Sequence, residues 1–82
     1  MKANRIFMLR ALQEGIIVYA EDTEIRAIAY GFTYNREQIE LADIIPRNSD
    51  LSKEIYAFFL SQAGARGYES LHVADAAKTS LL

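Results

Sequence analysis

Residues that break helices and strands are scarce in this chain, so their positions limit where its helices and strands can end. The 82 residues include one proline and four glycines. These are Pro46, Gly15, Gly31, Gly64 and Gly67. The sequence has no internal repeat, low-complexity tract or linker. Since domains of about 100–150 residues are the most common, we expect residues 1–82 to form a single compact domain.

The stretches before the first glycine and before the proline predict two helices. Residues 3–14 are good helix formers without a breaker, and the glycine that follows them is a typical C-terminal cap. Asn35 and Gln38 have the spacing of a capping box, which predicts a second helix from Arg36 to Ile45. That helix should end there, because a proline disfavours the helical conformation in the residue before it.

A third helix has the clearest periodic pattern in the chain. Large apolar residues recur at helical spacing at Leu51, Ile55, Phe58 and Phe59. Ser49 or Asp50 is the expected N-cap, and Gly64 should end the helix.

Residues 16–34 fit two structures. Ile16–Ala20 is rich in β-branched and aromatic residues and predicts a strand, and the polar residues 21–24 predict a turn. Apolar and aromatic residues then alternate, at Ile28, Tyr30, Phe32 and Tyr34. The same segment also fits a helix with Asp22 or Thr23 as its N-cap. Its composition favours the strand, and we predict a β-hairpin in which Ile28 and Phe32 are core residues.

Residues Gly64–Val73 predict a turn from the third helix into a short strand. They have the pattern G-x-x-G-Tyr-Glu followed by apolar residues. Over these ten residues the chain resembles a small bacterial family of unknown function, in which a helix turns through G-x-x-G-Trp-Glu into a strand. Tyr68 stands where that family has tryptophan, and the resemblance implies local geometry and no activity. Residues 74–82 should form a final helical turn or a frayed end.

Together these elements predict an α+β fold. The sheet would be small and antiparallel, made of the hairpin and the C-terminal strand, with the helices packed on one of its faces. The alternative is an all-α bundle, which requires the helical interpretation of residues 22–34.

Composition excludes several classes of function. Without cysteine the chain has no disulfide, thiolate metal site or thiol nucleophile, and a single histidine excludes sites that need two imidazoles. A net charge of −2 and a pI of about 5.3 argue against a basic nucleic-acid-binding surface. No apolar stretch is long enough to span a membrane, so we expect a soluble, cytoplasmic protein without membrane contact.

Residues suited to catalysis or metal binding do not form a recognised motif. His72 lies in the predicted C-terminal strand, and no serine belongs to a G-x-S-x-G motif that would pair with it. The acidic residues Glu21, Asp22 and Glu24 lack the spacing of a calcium loop and suit a solvated hairpin turn. We therefore expect no enzymatic activity, no catalytic or metal-binding residues and no cofactor.

Tyrosines are the unusual feature of the composition. Tyr19, Tyr30 and Tyr34 fall within the predicted hairpin and are the candidate partner-binding residues, since tyrosine is enriched at protein interfaces. They would otherwise be core residues of a thin sheet, or would stack on unpaired bases as in RNA-recognition sheets.

The apolar content is high for so short a chain. Apolar residues make up 51% of it, and a thin two-layer domain cannot hide all of them unless chains associate. We therefore expect a homodimer that acts as a small non-catalytic protein–protein interaction or regulatory module, an adaptor or inhibitor of the kind that phages and mobile elements carry. The alternative is a small nucleic-acid-binding transcriptional regulator, with a helix-turn-helix formed from residues 22–34.

Overall fold

A computed structural model describes residues 6–47 and 49–81, which form a five-stranded sheet and two helices. The elements are β1 (Ile6–Leu12), β2 (Gly15–Glu21), β3 (Ile25–Thr33), β4 (Gln38–Ile45), α1 (Ser52–Ala65), β5 (Ser70–Val73) and α2 (Asp75–Leu81). The sheet order is β1-β2-β3-β4-β5; the first four strands form an antiparallel meander, and β5 is parallel to β4. The predicted α+β class is confirmed.

Both helices lie on one face of the sheet, as predicted. Helix α1 packs across β2, β3 and β4, and α2 packs on β4 and contacts α1. The core lies between these layers because each strand turns alternate residues toward the helices. The strand residues buried there are Ile16, Val18, Ala20, Ala27, Ala29, Ile39, Leu41 and Ile44. Ile55 and Phe59 fill the core from α1, and Phe58 extends the contact to the ring of Phe7 on β1.

The predicted first helix is wrong, because its described part forms strand β1. Residues 3–5 lie outside the described residues. From Ile6 onward the side chains follow the two-residue period of a strand, with Phe7 and Leu9 packed against the core and Met8 exposed. Pairing with β2 along its full length overrides the helix propensity of these residues. Gly15 starts β2 instead of capping a helix.

The predicted second helix is also wrong, because residues 38–45 form strand β4. Asn35 does act through its side chain, but in a turn. Its Oδ1 accepts a hydrogen bond of 2.9 Å from the backbone N–H of Glu37, an Asx-type contact that reverses the chain between β3 and β4. Alternation in β4 is broken by a bulge at Ala42, since Tyr30 pairs with Asp43 while the next residue of β3 pairs with Leu41.

The other predicted elements are present. Strand β2, the polar turn, strand β3, helix α1 and strand β5 are present in the predicted order, so the all-α alternative is wrong. The predicted end of the third helix is corrected, because α1 continues through Gly64 to Ala65 and has Arg66 as its C-cap. No helix-turn-helix can form from residues 22–34, because most of this segment belongs to the β2–β3 hairpin. The predicted N-cap is corrected to Leu51, whose N–H is hydrogen-bonded to Ser49 Oγ at 3.1 Å.

In the described part of the chain, neither helix is long and apolar enough to cross a membrane.

Candidate protein-binding face

The face of the sheet opposite the two helices carries no helix in the described part of the chain. We call it the open face and define it by the outward residues of the five strands. These are Ile6, Met8, Arg10, Leu12, Gly15, Ile17, Tyr19, Glu21, Ile28, Tyr30, Phe32, Gln38, Glu40, Asp43, Ile45, Ser70 and His72. Most of its large side chains on β1, β2 and β3 are apolar or aromatic, which is unusual for a sheet face in contact with water.

The middle of the open face is a continuous apolar surface. Tyr19 lies beside Ile28, and Ile17 lies beside Tyr30, across the β2–β3 pair. The ring of Phe32 packs edge to face against Tyr30 with centroids 6.0 Å apart, and yet 51% of Phe32 stays exposed. These side chains cover one another only in part.

Exposed apolar side chains continue to both sides of this middle region. Ile6, Met8 and Leu12 of β1 are 40–58% exposed, and Ile45 of β4 is 45% exposed. Together with Phe32 they account for five of the eight large hydrophobic residues exposed among the described residues. Exposed apolar surfaces of this extent are typical of sites of association with another molecule.

Charged residues occupy separate strands of the open face. Arg10 lies on β1, whereas Glu40 and Asp43 lie on β4. Asp43 is largely covered: its Oδ1 accepts a hydrogen bond of 2.8 Å from the N–H of Ile44, and its Oδ2 is 4.0 Å from Nη2 of Arg47. Glu21 lies on β2, opposite Ile6 at the end of β1. Halfway along the strands, Arg10 on β1 and Asp43 on β4 are separated by Ile17 and Tyr30.

The structure places two of the three predicted partner-binding tyrosines on the open face and the third outside it. Tyr19 and Tyr30 lie on the open face, on neighbouring strands. Tyr34 does not join them, because β3 ends at Thr33 and Tyr34 lies in the following turn, 71% exposed, with its N–H bonded to the carbonyl of Gln38 at 2.9 Å.

Sequence reasoning missed most of the apolar residues of this face. Ile6, Met8 and Leu12 were assigned to a helix, and Ile28 and Phe32 were expected in the core. The available signal was the run of small residues Ala27, Ala29 and Gly31, which fill the inner side of β3 and leave the larger alternate residues outside.

A shallow cleft of about 270 Å³ lies at the β4–β5 side of the open face. It is lined by Tyr34, Gln38, Glu40 and His72. His72 and Glu40 are register partners on the parallel strands β4 and β5, which brings an imidazole and a carboxylate to neighbouring positions. These groups can donate and accept hydrogen bonds, but among the described residues no hydroxyl nucleophile other than the Tyr34 phenol lines the cleft.

The acidic residues after β2 form an ordered turn. Asp22 accepts hydrogen bonds from the backbone N–H groups of Thr23 and Glu24 and from Nε of Arg26. Desolvation raises the pKa of Asp22, but these hydrogen bonds and the Arg26 charge outweigh it and hold that pKa below its usual value. Among residues 6–47 and 49–81 no group of three potential ligands is placed to hold a metal ion.

Fold and site define a small α+β protein in which, among the described residues, no helix covers one face of the sheet. Comparison of the chain with protein-family models finds no matching family, and comparisons with curated proteins and with solved structures find no significant match. The helix–turn–strand geometry implied by the local resemblance is present from α1 to β5, with Gly67 at a φ of 93°.

Proposed function

We propose that this protein is a small, non-catalytic interaction module of the adaptor or inhibitor kind, which associates as a homodimer through the open face. The observation that carries the proposal is the continuous apolar surface around Tyr19, Tyr30 and Phe32. Aromatic side chains in the middle of a surface and charges toward its sides are the usual arrangement of a protein interface.

The size of the face supports this proposal. Strand spacing and rise give the β1–β4 face a width of about 20 Å and a length of about 23 Å, a footprint of about 450 Å². Its accessible area is larger than this footprint because the side chains protrude from it. A standard interface removes about 800 Å² of accessible surface from each partner, so the open face supplies most of the area that such an interface requires.

Charge favours a protein partner over a nucleic acid. The outward residues include Glu21, Glu40 and Asp43 but few cations, and phosphate neutralisation requires a cluster of lysine or arginine. Stacking of bases on Tyr19 and Tyr30 would therefore lack the basic neighbours that hold the nucleic-acid backbone.

Light scattering tests the proposal with one variant and a matched control. The wild type at about 100 µM should have twice the chain mass of 9.3 kDa. Two chains joined by an interface of standard size stay associated well below that concentration. The double variant Tyr30→Asp/Phe32→Asp should have the chain mass. Leu60→Asp, which introduces a charge on the outer side of α1 where Leu60 is 46% exposed, should stay dimeric.

Circular dichroism establishes that each variant is folded before its mass is interpreted. A wild type of 9.3 kDa at this concentration would contradict the proposed function. Dimerisation that is lost in Leu60→Asp and kept in the double variant would show that the interface lies on the helical side of the sheet instead of on the open face.

A further inference from the structure

We propose that two copies of the chain pack open face to open face about a twofold axis that runs parallel to the strands between β2 and β3. In this arrangement Arg10 of each copy pairs with the partner's Asp43. The inference rests on the proposed function and specifies how its interface is built.

Strand register arranges the open face in rows that run across β1, β2, β3 and β4. The middle row consists of Arg10, Ile17, Tyr30 and Asp43. The row on one side of it consists of Met8, Tyr19, Ile28 and Ile45. The row on its other side consists of Leu12, Gly15, Phe32 and Glu40.

Rotation about a twofold axis parallel to the strands reverses the strand order in the second copy. Each row of residues keeps its position along the strands and therefore faces the same row of the partner. Strand β1 of one copy then covers β4 of the other, and β2 covers β3. The middle row places Arg10 over the partner's Asp43, and symmetry repeats this contact at the opposite side of the interface. On each side of the apolar centre, Arg10 would then share the Asp43 carboxylate with Arg47, whose Nη2 lies 4.0 Å from Asp43 Oδ2.

The other twofold axis that opposes the faces with their strands aligned is perpendicular to the strands, and charge disfavours it. That axis places β1 over β1 and β4 over β4, so the middle row would bring Arg10 near its own symmetry copy and Asp43 near its own. Like charges opposed in an interface are repulsive, which makes the axis parallel to the strands the favoured one.

Side-chain size is complementary in the same arrangement. Tyr19 would face the partner's Ile28, and Ile17 would face the partner's Tyr30, so that large and smaller groups alternate. Aligned sheets cross at about 30°, which shifts the rows by only about 4 Å at β1 and β4, within reach of an arginine.

Charge exchange tests the arrangement directly. Arg10→Asp alone and Asp43→Arg alone should each raise the dissociation constant of the homodimer at least tenfold, because each homodimer then contains two like-charge contacts. Mixing the two variants should restore a dimer, because both contacts between position 10 of one copy and position 43 of the other then join an aspartate to an arginine. The readout is mass by light scattering, for each variant alone and for an equimolar mixture.

Crosslinking provides a second measurement in case Asp43→Arg does not fold without the bond to the Ile44 N–H. The chain has no cysteine, so Met8→Cys and Ile45→Cys each introduce a single thiol at an exposed position. A short bis-maleimide should join the two variants in a mixture and should not join Met8→Cys to itself, since the two β1 strands lie at opposite sides of the interface.

The outcomes separate this inference from the proposed function. Restoration of the dimer by mixing, or crosslinking in the Met8→Cys and Ile45→Cys mixture only, supports the arrangement. Homodimers of Arg10→Asp and Asp43→Arg as tight as wild type, or efficient crosslinking of Met8→Cys to itself, overturn the arrangement and leave the interaction function standing. A monomeric wild type overturns both.

Discussion

Phe59 of α1 lies against the backbone of Gly31, near the C-terminal end of β3. A Cβ atom at position 31 would be 2.6 Å from Cζ of Phe59 and closer still to the carbonyl oxygen of Glu40. The absence of a side chain at this position therefore allows the helix to lie directly on the sheet.

Replacement of Gly31 by alanine should destabilise the protein by about 1–3 kcal/mol, because Phe59 is fully buried and the Glu40 backbone cannot withdraw without strain. Gly64→Ala is the matched control. Gly64 lies within α1 with nothing near its added Cβ, so alanine there should stabilise by about 0.5–1 kcal/mol. Urea unfolding measures both, and equal effects would contradict the packing at Gly31.

The same contact explains why part of the fold could not be predicted from the sequence. Ile28 and Phe32 are large and apolar, and local reasoning assigns such residues to the core. Whether the inner side of β3 accepts large or small residues depends on how closely α1 approaches, and that distance is set by residues far away in the chain. The small size of Ala27 and Ala29 indicates a close approach of α1 only when the position of the helix is known.

The sequence predicts helices where the structure has strands β1 and β4, for two different reasons. Residues 6–12 have helix-forming composition, and only their pairing with β2 makes them extended. In β4 the bulge at Ala42 moves Ile44 back to the inner side, so buried residues occur at 39, 41 and 44 and fit neither period cleanly. Helix α1 and strand β2 were predictable because their patterns are local and regular.

Two buried serines should respond oppositely to replacement by alanine. Ser80 Oγ of α2 donates a hydrogen bond of 3.0 Å to the carbonyl of Ile44, which lies beside the bulge in β4. Ser80→Ala leaves that carbonyl without its partner and should cost about 1–3 kcal/mol. Ser52 Oγ is buried without a hydrogen-bond partner among the described residues, so Ser52→Ala should be neutral or stabilising. Thermal unfolding of both variants distinguishes them, and a larger loss from Ser52→Ala would refute this assignment.

Stability in acid should depend on Asp22. Its pKa is lower in the folded protein than the ordinary value of 3.8, so its charge stabilises the fold above that pH, and the contribution disappears as the pH falls through the folded value. Asp22→Asn keeps an acceptor for the N–H groups of Thr23 and Glu24 but loses the charge that faces Arg26. Wild type should be the more stable near neutral pH, and the difference in unfolding free energy should shrink in acid. A difference independent of pH would show that the charge of Asp22 contributes nothing.

The two tyrosines Tyr30 and Tyr34 should differ in their effect on association. Tyr30 lies in the middle row of the open face, where truncation removes contact area from the centre of the proposed interface. Tyr34 lies in the turn beyond it. Since central aromatic residues dominate interface energies, Tyr30→Ala should raise the dimer dissociation constant at least tenfold, and Tyr34→Ala should change it by less than about threefold. Sedimentation over a range of concentrations measures both constants, with circular dichroism to verify the fold. Loss of association in Tyr34→Ala alone would place the contact at the cleft formed with Glu40 and His72 instead of at the apolar centre.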